Sequence, residues 1–393
     1  MQSWKAKSLV GIASGILLFG LSICPAQAVF TSLYIFGDGI STTTNNPSAG
    51  QYYYGLRRSN GRVWVELLAQ EQGLTNNYWY SNNSVRLSYN NLSASSTNWS
   101  YSTNNWSFYG NYSFILVTNI NRFTAPADPN TALFVVWVND ADFVNDMGTI
   151  YPSTNIVTWS NAMNLSLTNH FKIITNLYAK GARTLIMPNA VDITEIPKYN
   201  SLITSSPAVR NFIRQQVTNF NTAFITTLSN AVLLSPGLKI YQPDFFSLLD
   251  NILANPAAYG LTNALSGGVS IDALDDSSLN NKSINGPGTN YIFWDQADPT
   301  AKAHAVMADV VQQLISPAQI TNVTVIEDDG QLGVASLPVG LNGFVDGCTN
   351  LAMPNWTAQA SFNSTNATQT ISFSASGPLW FYRLRFPYAW SWP

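Results

Sequence analysis

An α/β domain with a parallel five-stranded sheet, followed by a small all-β sandwich module, is the architecture the sequence predicts, and three observations carry it. Short runs rich in β-branched and aromatic residues alternate with longer helix-patterned stretches as far as Pro317. After Pro317 the helical stripes stop, and brief alternating runs broken by glycine take over. The first 28 residues match neither pattern and read as a secretory signal.

That leading segment has Lys5 and Lys7 ahead of an apolar run from Leu9 to Ile23, then Ala26-Gln27-Ala28 as small residues for cleavage. The expected division is a signal peptide over 1–28, a main domain over 29–317 and a module over 318–393. A membrane anchor fits less well, because Gly11, Ser14, Gly20 and Ser22 interrupt the apolar run and no basic flank follows. Cys24 as a lipidated residue fits poorly too, with Ile23 where a small residue belongs. The expected location is outside the cytoplasm: medium, cell surface or periplasm.

Five runs are the candidate strands: Leu33–Phe36, Val85–Tyr89, Ala132–Val138, Thr184–Met187 and Leu238–Tyr241. Phe171, Ile174, Leu177 and Tyr178 share one helical face, with Gly181 placed to end the helix in the left-handed region. Phe212, Ile213, Val217, Phe220 and Phe224 form a second such face ahead of Pro236-Gly237. A third holds Ala303, Val306, Met307, Val310, Val311 and Leu314, and Pro317 closes it. In the module, Val323–Ile326, Phe344–Val345, Ile371–Phe373 and Phe381–Phe386 are strand-sized, with Asp329-Gly330, Gly340, Gly343 and Gly347 as breaks.

Charged residues are only 10% of the chain, against roughly 25% in ordinary soluble domains, so neutral Asn, Ser and Thr carry the polar surface. A net charge of −3 without a basic block argues against nucleic acid and against an anionic membrane surface. No segment past the leader is long and apolar enough for membrane insertion. Cys348 would be the lone cysteine after cleavage and reads as a buried thiol rather than a reactive or intermolecular one. No metal-ligand spacing or cofactor motif is present, so none is expected.

The sharpest local feature is Ile35-Phe36-Gly37-Asp38-Gly39-Ile40-Ser41, a turn at the carboxyl end of the first strand, where open α/β sheets bind ligands. Alone, its glycines could serve only a tight strand-to-helix turn. Further blocks follow in order: Ser59-Asn60-Gly61-Arg62-Val63-Trp64, Val135-Val136-Trp137-Val138-Asn139-Asp140, Gly181-Ala182-Arg183 leading to Pro188-Asn189, Asn255-Pro256 with Tyr259-Gly260, and Trp294-Asp295-Gln296-Ala297-Asp298-Pro299-Thr300. This ordered set, spanning Leu33 to Leu314, resembles the GDSL/SGNH esterase-lipase (acylhydrolase) family.

The resemblance implies a flavodoxin-like α/β/α domain in which a serine attacks an ester carbonyl, a histidine takes its proton and an aspartate three residues earlier orients the histidine. Carried onto this chain, the nucleophile position falls on Gly39, the orienting acid on Asp295 and the base position on Asp298. Neither Gly39 nor Asp298 can perform the family's step. The implied oxyanion groups are the Gly39 backbone N–H, Asn139 and the region of Ser95-Ser96, with Val138 in place of a glycine. Losing nucleophile or base costs a serine hydrolase on the order of a millionfold in turnover, so the resemblance carries over the crevice without its acyl-enzyme route.

Ser41, His304 and His170 lack the placement to restore that route. Three functional readings follow. In one, Asp38 and the crevice hold a small acylated or carbohydrate ligand without cleaving it. In another, Asp295 and Asp298 share a proton and activate a water in the space Gly39 vacates. In the third, the aromatic, Asn-rich stretch from Tyr78 to Tyr112 binds sugar rings through residues such as Trp99 and Trp106, and the module serves adhesion. Packing of those aromatics onto the domain is the competing role. Asn98-Trp99-Ser100, Asn105-Trp106-Ser107 and Asn111-Tyr112-Ser113 match glycosylation acceptors, a pattern common in such a composition.

Overall fold

The computed structural model describes residues 30–43, 50–72, 74, 104–315, 318–326, 328–337, 342–349, 357–375 and 381–385. The leader, the candidate strand Val85–Tyr89, Ser95 and Trp99 lie outside them.

Four parallel strands form the main sheet in the order β1 (Ser32–Gly37), β2 (Ala132–Trp137), β3 (Thr184–Ile186) and β4 (Lys239–Tyr241). Register runs Ser32 opposite Ala132, Leu133 opposite Thr184, and Thr184 opposite Lys239. Where a fifth strand would flank β1, the chain between Asn104 and Phe108 lies along its free edge. Ile35 N–H donates to the Asn104 carbonyl at 2.9 Å, and Trp106 N–H donates to the Ile35 carbonyl at 2.7 Å. Every residue of β2 is buried, which requires cover on both faces of the sheet and matches its unbroken apolar run.

That cover comes from helices. α1 (Trp64–Glu71) packs with α8 (Ala301–Ile315), while α2 (Ser113–Arg122), α4 (Ile156–Ala179) and α6 (Pro207–Leu234) form a second group. Between them in the chain lie α3 (Asn139–Thr149), the single turn α5 (Leu202–Ser205) and α7 (Phe245–Ala254). The expected stop of α4 holds: Gly181 has φ +97°, and a Cβ there would lie 2.4 Å from Pro129 Cγ. Gly237, with φ +78°, turns the chain after α6.

A small hairpin of β5 (Leu265–Ser266) and β6 (Val269–Ser270) precedes α8. The carboxyl-terminal part contains β7 (Gln319–Ile326), β8 (Asp329–Ala335), β9 (Asn342–Cys348), β10 (Thr357–Asn363), β11 (Gln369–Ser374) and β12 (Phe381–Arg385). They form two three-stranded antiparallel sheets, β11-β8-β7 and β10-β9-β12. Leu332, Val334, Ile371 and Phe373 from one sheet and Val345 from the other share a core, as expected of a sandwich. Gly330 and Gly343 lie inside strands rather than breaking them. A Cβ on Gly330 would sit 2.2 Å from the Phe373 ring and one on Gly343 2.3 Å from the Phe362 ring, so each glycine makes room for a cross-strand aromatic. Cys348 is buried and forms no disulfide.

Candidate functional site

The carboxyl ends of β1, β2 and β3 open into a crevice of about 360 Å³, where a parallel sheet places its ligands. β1 delivers Asp38, Gly39 and Ile40; the start of α3 delivers Asp140, Ala141 and Val144; the chain after β3 delivers Val191, Ile193 and Ile196. Asp295 and Asp298, more than 250 residues after Gly39 in the sequence, reach the same crevice. The turn after β1 is held by Asp38, whose carboxylate accepts the Ile40 N–H at 3.0 Å.

Gly39, Asp295 and Asp298 are brought together, but by a residue the sequence reading did not single out. Arg58 donates from Nε to Asp298 Oδ2 at 2.7 Å, and its Nη2 lies 3.5 Å from Asp295 Oδ2. Its guanidinium carbon stands 4.6 Å from the centre of the Tyr109 ring. A Cβ on residue 39 would meet Arg58 Cδ at 2.9 Å, inside any normal contact. The space left by the missing side chain is therefore filled by arginine, which corrects the expectation of room for an attacking water there. Arg58 immediately precedes the Ser59-Asn60-Gly61 block, and several acids in one crevice need a counter-charge; that was the available signal.

Asp295 is further fixed by the Tyr53 hydroxyl, donating to Oδ2 at 2.8 Å, and by the N–H groups of Ala297 and Asp298, both donating to Oδ1. Burial and the neighbouring Asp295 push Asp298 well above the usual carboxylate range, against the pull of Arg58. Asp38 is raised to about 7, chiefly by burial, with the Ile40 N–H and Arg58 opposing. Asp140 is raised well above the ordinary range by burial and by the charge of Asp38. Its Oδ1 accepts the Val191 N–H at 2.9 Å, while Oδ2 has no hydrogen-bond partner.

Several expectations fail on geometry. Asn139 donates from Nδ2 to the Pro188 carbonyl at 2.9 Å and is not among the residues lining the crevice, so its side chain does not present an oxyanion donor there. Trp106 is no ligand platform: it is buried, with its ring 6.1 Å from that of Phe36 and 5.5 Å from that of Phe123. Covering the edge of β1 draws this aromatic inward. Tyr109 and Tyr112, from the same stretch, do line the crevice. Ser41 is buried and accepts the Trp64 indole N–H at 3.1 Å. His170 and His304 are fully buried away from the crevice walls, and burial alone lowers His304 to about 3. No group of three or more acidic, histidine or cysteine side chains suited to a metal occurs among the described residues.

Comparison with known proteins bears on this arrangement. No family model matches the chain. Three GDSL esterase/lipases of Arabidopsis thaliana are 29% identical over 154 residues, 26% over 181 and 25% over 183, covering 36%, 45% and 45% of this chain. The matched stretches span less than half of those relatives, 42%, 47% and 49% of their lengths. Another GDSL esterase/lipase of that plant matches at 24% identity over 78% of this chain and 94% of its own length.

These likenesses, at modest identity, support a place for the chain in the GDSL esterase/lipase family.

Among solved structures, an α/β hydrolase enzyme from the metagenome of Lake Arreo, Spain, matches with TM-score 0.38 and 12% identity over 72% of this chain and 96% of that one. A gut microbial diltiazem-metabolizing enzyme gives TM-score 0.36 and 11% identity over 80% and 60%. Likenesses of that size carry no weight for function. The α/β character of this chain rests on its own parallel sheet and flanking helices. No helix among the described residues is long and apolar enough to cross a membrane.

Proposed function

We propose that this GDSL-family protein, exported by its leader, has lost serine-histidine ester cleavage and keeps the crevice as a binding site for a small acylated saccharide or similar neutral ligand. One observation carries the reading: Arg58 occupies the position a side chain at residue 39 would take and ion-pairs with Asp298, so nucleophile and base are replaced by a single closed salt bridge. An arginine so engaged has no role in acyl transfer, and restoring one catalytic group would not displace it. The rest of the crevice suits a neutral polyol derivative. Tyr109 and Tyr112 offer flat faces, Asp38 offers a carboxyl that is half protonated near neutral pH, and Val191, Ile193 and Ile196 form an apolar wall.

The test pairs chemistry with binding. Purified protein mixed with p-nitrophenyl acetate should give no burst, and calorimetry should detect binding of an acetylated glucoside. A burst with a covalent adduct on a serine would overturn the reading.

A further inference from the structure

Helix α6 carries two apolar stripes where a helix lying on a sheet needs one. Ile213, Val217, Phe220 and Phe224 are buried toward the domain core. The second stripe, Ile225, Leu228, Val232 and Leu233, keeps helical spacing and lines a groove of about 410 Å³ together with Ile240 of β4. Leu233 is 81% exposed and Ile225 54%. No charged residue occurs between Arg214 and Lys239, so this face offers an approaching apolar surface no ionic barrier. The groove runs beside β4, the outermost strand of the main sheet, which has no neighbour beyond it among the described residues. Lys239 N–H donates to the Arg183 carbonyl at 2.9 Å, and the Tyr241 carbonyl accepts the Met187 N–H at 2.8 Å, so both residues turn their backbone groups toward β3. The alternation of a strand then aims the Ile240 N–H and carbonyl at the free edge.

We infer that the chain forms a two-fold dimer in which β4 pairs antiparallel with β4 of a second copy, continuing the sheet, while the outer stripes of the two α6 helices close over the seam. The inference stands apart from what the crevice binds. Centred on Ile240, the pairing is self-complementary. Ile240 of each copy exchanges both N–H···O=C bonds with its counterpart, and Lys239 falls opposite Tyr241 rather than opposite another lysine. A two-fold axis perpendicular to the sheet keeps both α6 helices on one face, where Ile225, Val232 and Leu233 of each copy gain apolar cover. A segment of the same chain is the competing occupant. Residues 104–315 are described without a break, so no undescribed stretch joins α6 or β4. The stretch 75–103 leads into the Asn104 to Phe108 chain along β1, at the opposite edge of the sheet.

Size-exclusion chromatography with light scattering on the full chain tests this. At micromolar concentration it should give twice the chain mass and no larger species, because a two-fold interface closes on itself. Leu233→Glu changes a side chain that stands in solvent in the single copy, so circular dichroism should show the fold intact. Its dimer dissociation constant should rise at least about a hundredfold, since each dimer loses the leucine of both copies. Ile240→Cys, placed on the axis, should lock the dimer as a disulfide under mild oxidation, whereas Arg122→Cys, exposed on α2, should not. A single-copy mass for the unmodified protein would overturn the inference, whether the groove is then bare or covered by another segment of its own chain. A dimer that Leu233→Glu leaves intact, or one that Ile240→Cys fails to lock, would also overturn it, because the interface would then lie elsewhere.

Discussion

Arg58 Nε lies 2.7 Å from Asp298 Oδ2, with both side chains largely buried, and this pair closes the crevice beside the turn that follows β1. Gly39 belongs to the same unit, because its missing Cβ is what lets Arg58 lie against the turn. One arginine thus ties Gly39 to Asp298.

Arg58→Ala should destabilise the fold by about 3–5 kcal/mol, because it strands two buried carboxyls without their cation. Asp298 would then hold its proton still more firmly. The loss should therefore be smaller at pH 5 than at pH 8, where two charges must be buried or one ionisation forgone. Arg58→Leu combined with Asp298→Leu should recover most of the stability. Urea unfolding of the three proteins at both pH values decides it, and a near-neutral Arg58→Ala would show that the bridge is only superficial.

Stability should fall as pH rises from about 4 to 7. Asp38 has an unfolded value near 3.8 and a folded value of about 7, so the folded state binds more protons throughout that window. The contribution is complete below the unfolded value and is lost as pH climbs to the folded one. Glu71, Asp140 and Asp298, all raised by burial, act with the same sign. Asp244 and Asp276 are lowered and act oppositely, weakening the fold as pH drops through their values. Asp38→Asn keeps an acceptor for the Ile40 N–H and should flatten the slope of melting temperature between pH 4 and 7. An unchanged slope in that variant would count against the assignment.

Glu66→Ala should cost about 3–5 kcal/mol. Glu66 accepts from Arg57 Nη2 at 2.6 Å and Nε at 3.2 Å, and its Oε2 also accepts the Val63 N–H at 2.9 Å at the start of α1. Both side chains are sealed from solvent, so the alanine variant leaves a guanidinium buried with its main anion gone. Glu66→Gln, which keeps the shape and an acceptor, should cost less. Thermal melts with matched circular dichroism would separate the two.

Much of the fold was legible because it rests on local signals. The apolar run of Ala132–Trp137 and the left-handed stop at Gly181 are written in adjacent residues. The site was legible only where it follows a motif. Gly39, Asp295 and Asp298 line one crevice, whereas Arg58 acts through contacts 240 residues distant in sequence, which no periodicity or spacing announces. Trp106 misled for the related reason that an exposed platform and a core aromatic look alike until the segment's strand-like docking on β1 is known. In the carboxyl-terminal sheets, Gly330 and Gly343 read as breaks because their partners, Phe373 and Phe362, stand on other strands.

If the proposed reading of positions 39, 295 and 298 holds, building a serine-histidine-aspartate triad there separates scaffold from chemistry. Gly39→Ser with Asp298→His would restore nucleophile and base beside Asp295, which already accepts the N–H of residue 298 at 2.9 Å. That pair alone should remain inert, since the new Cβ would meet Arg58 Cδ at 2.9 Å and the arginine would still be drawn to Asp295 at 3.5 Å. Adding Arg58→Ala clears both obstacles. The triple variant should therefore be labelled by an organophosphonate at residue 39, detected as a mass shift, where the double variant is not. Because nucleophile and base act as one proton-transfer unit, Gly39→Ser with Arg58→Ala but without the histidine should label far more slowly. Ester turnover should stay low even in the triple variant, because Asn139 donates to Pro188 rather than into the crevice. A double variant that labels as fast as the triple would show that Arg58 does not hold the site closed.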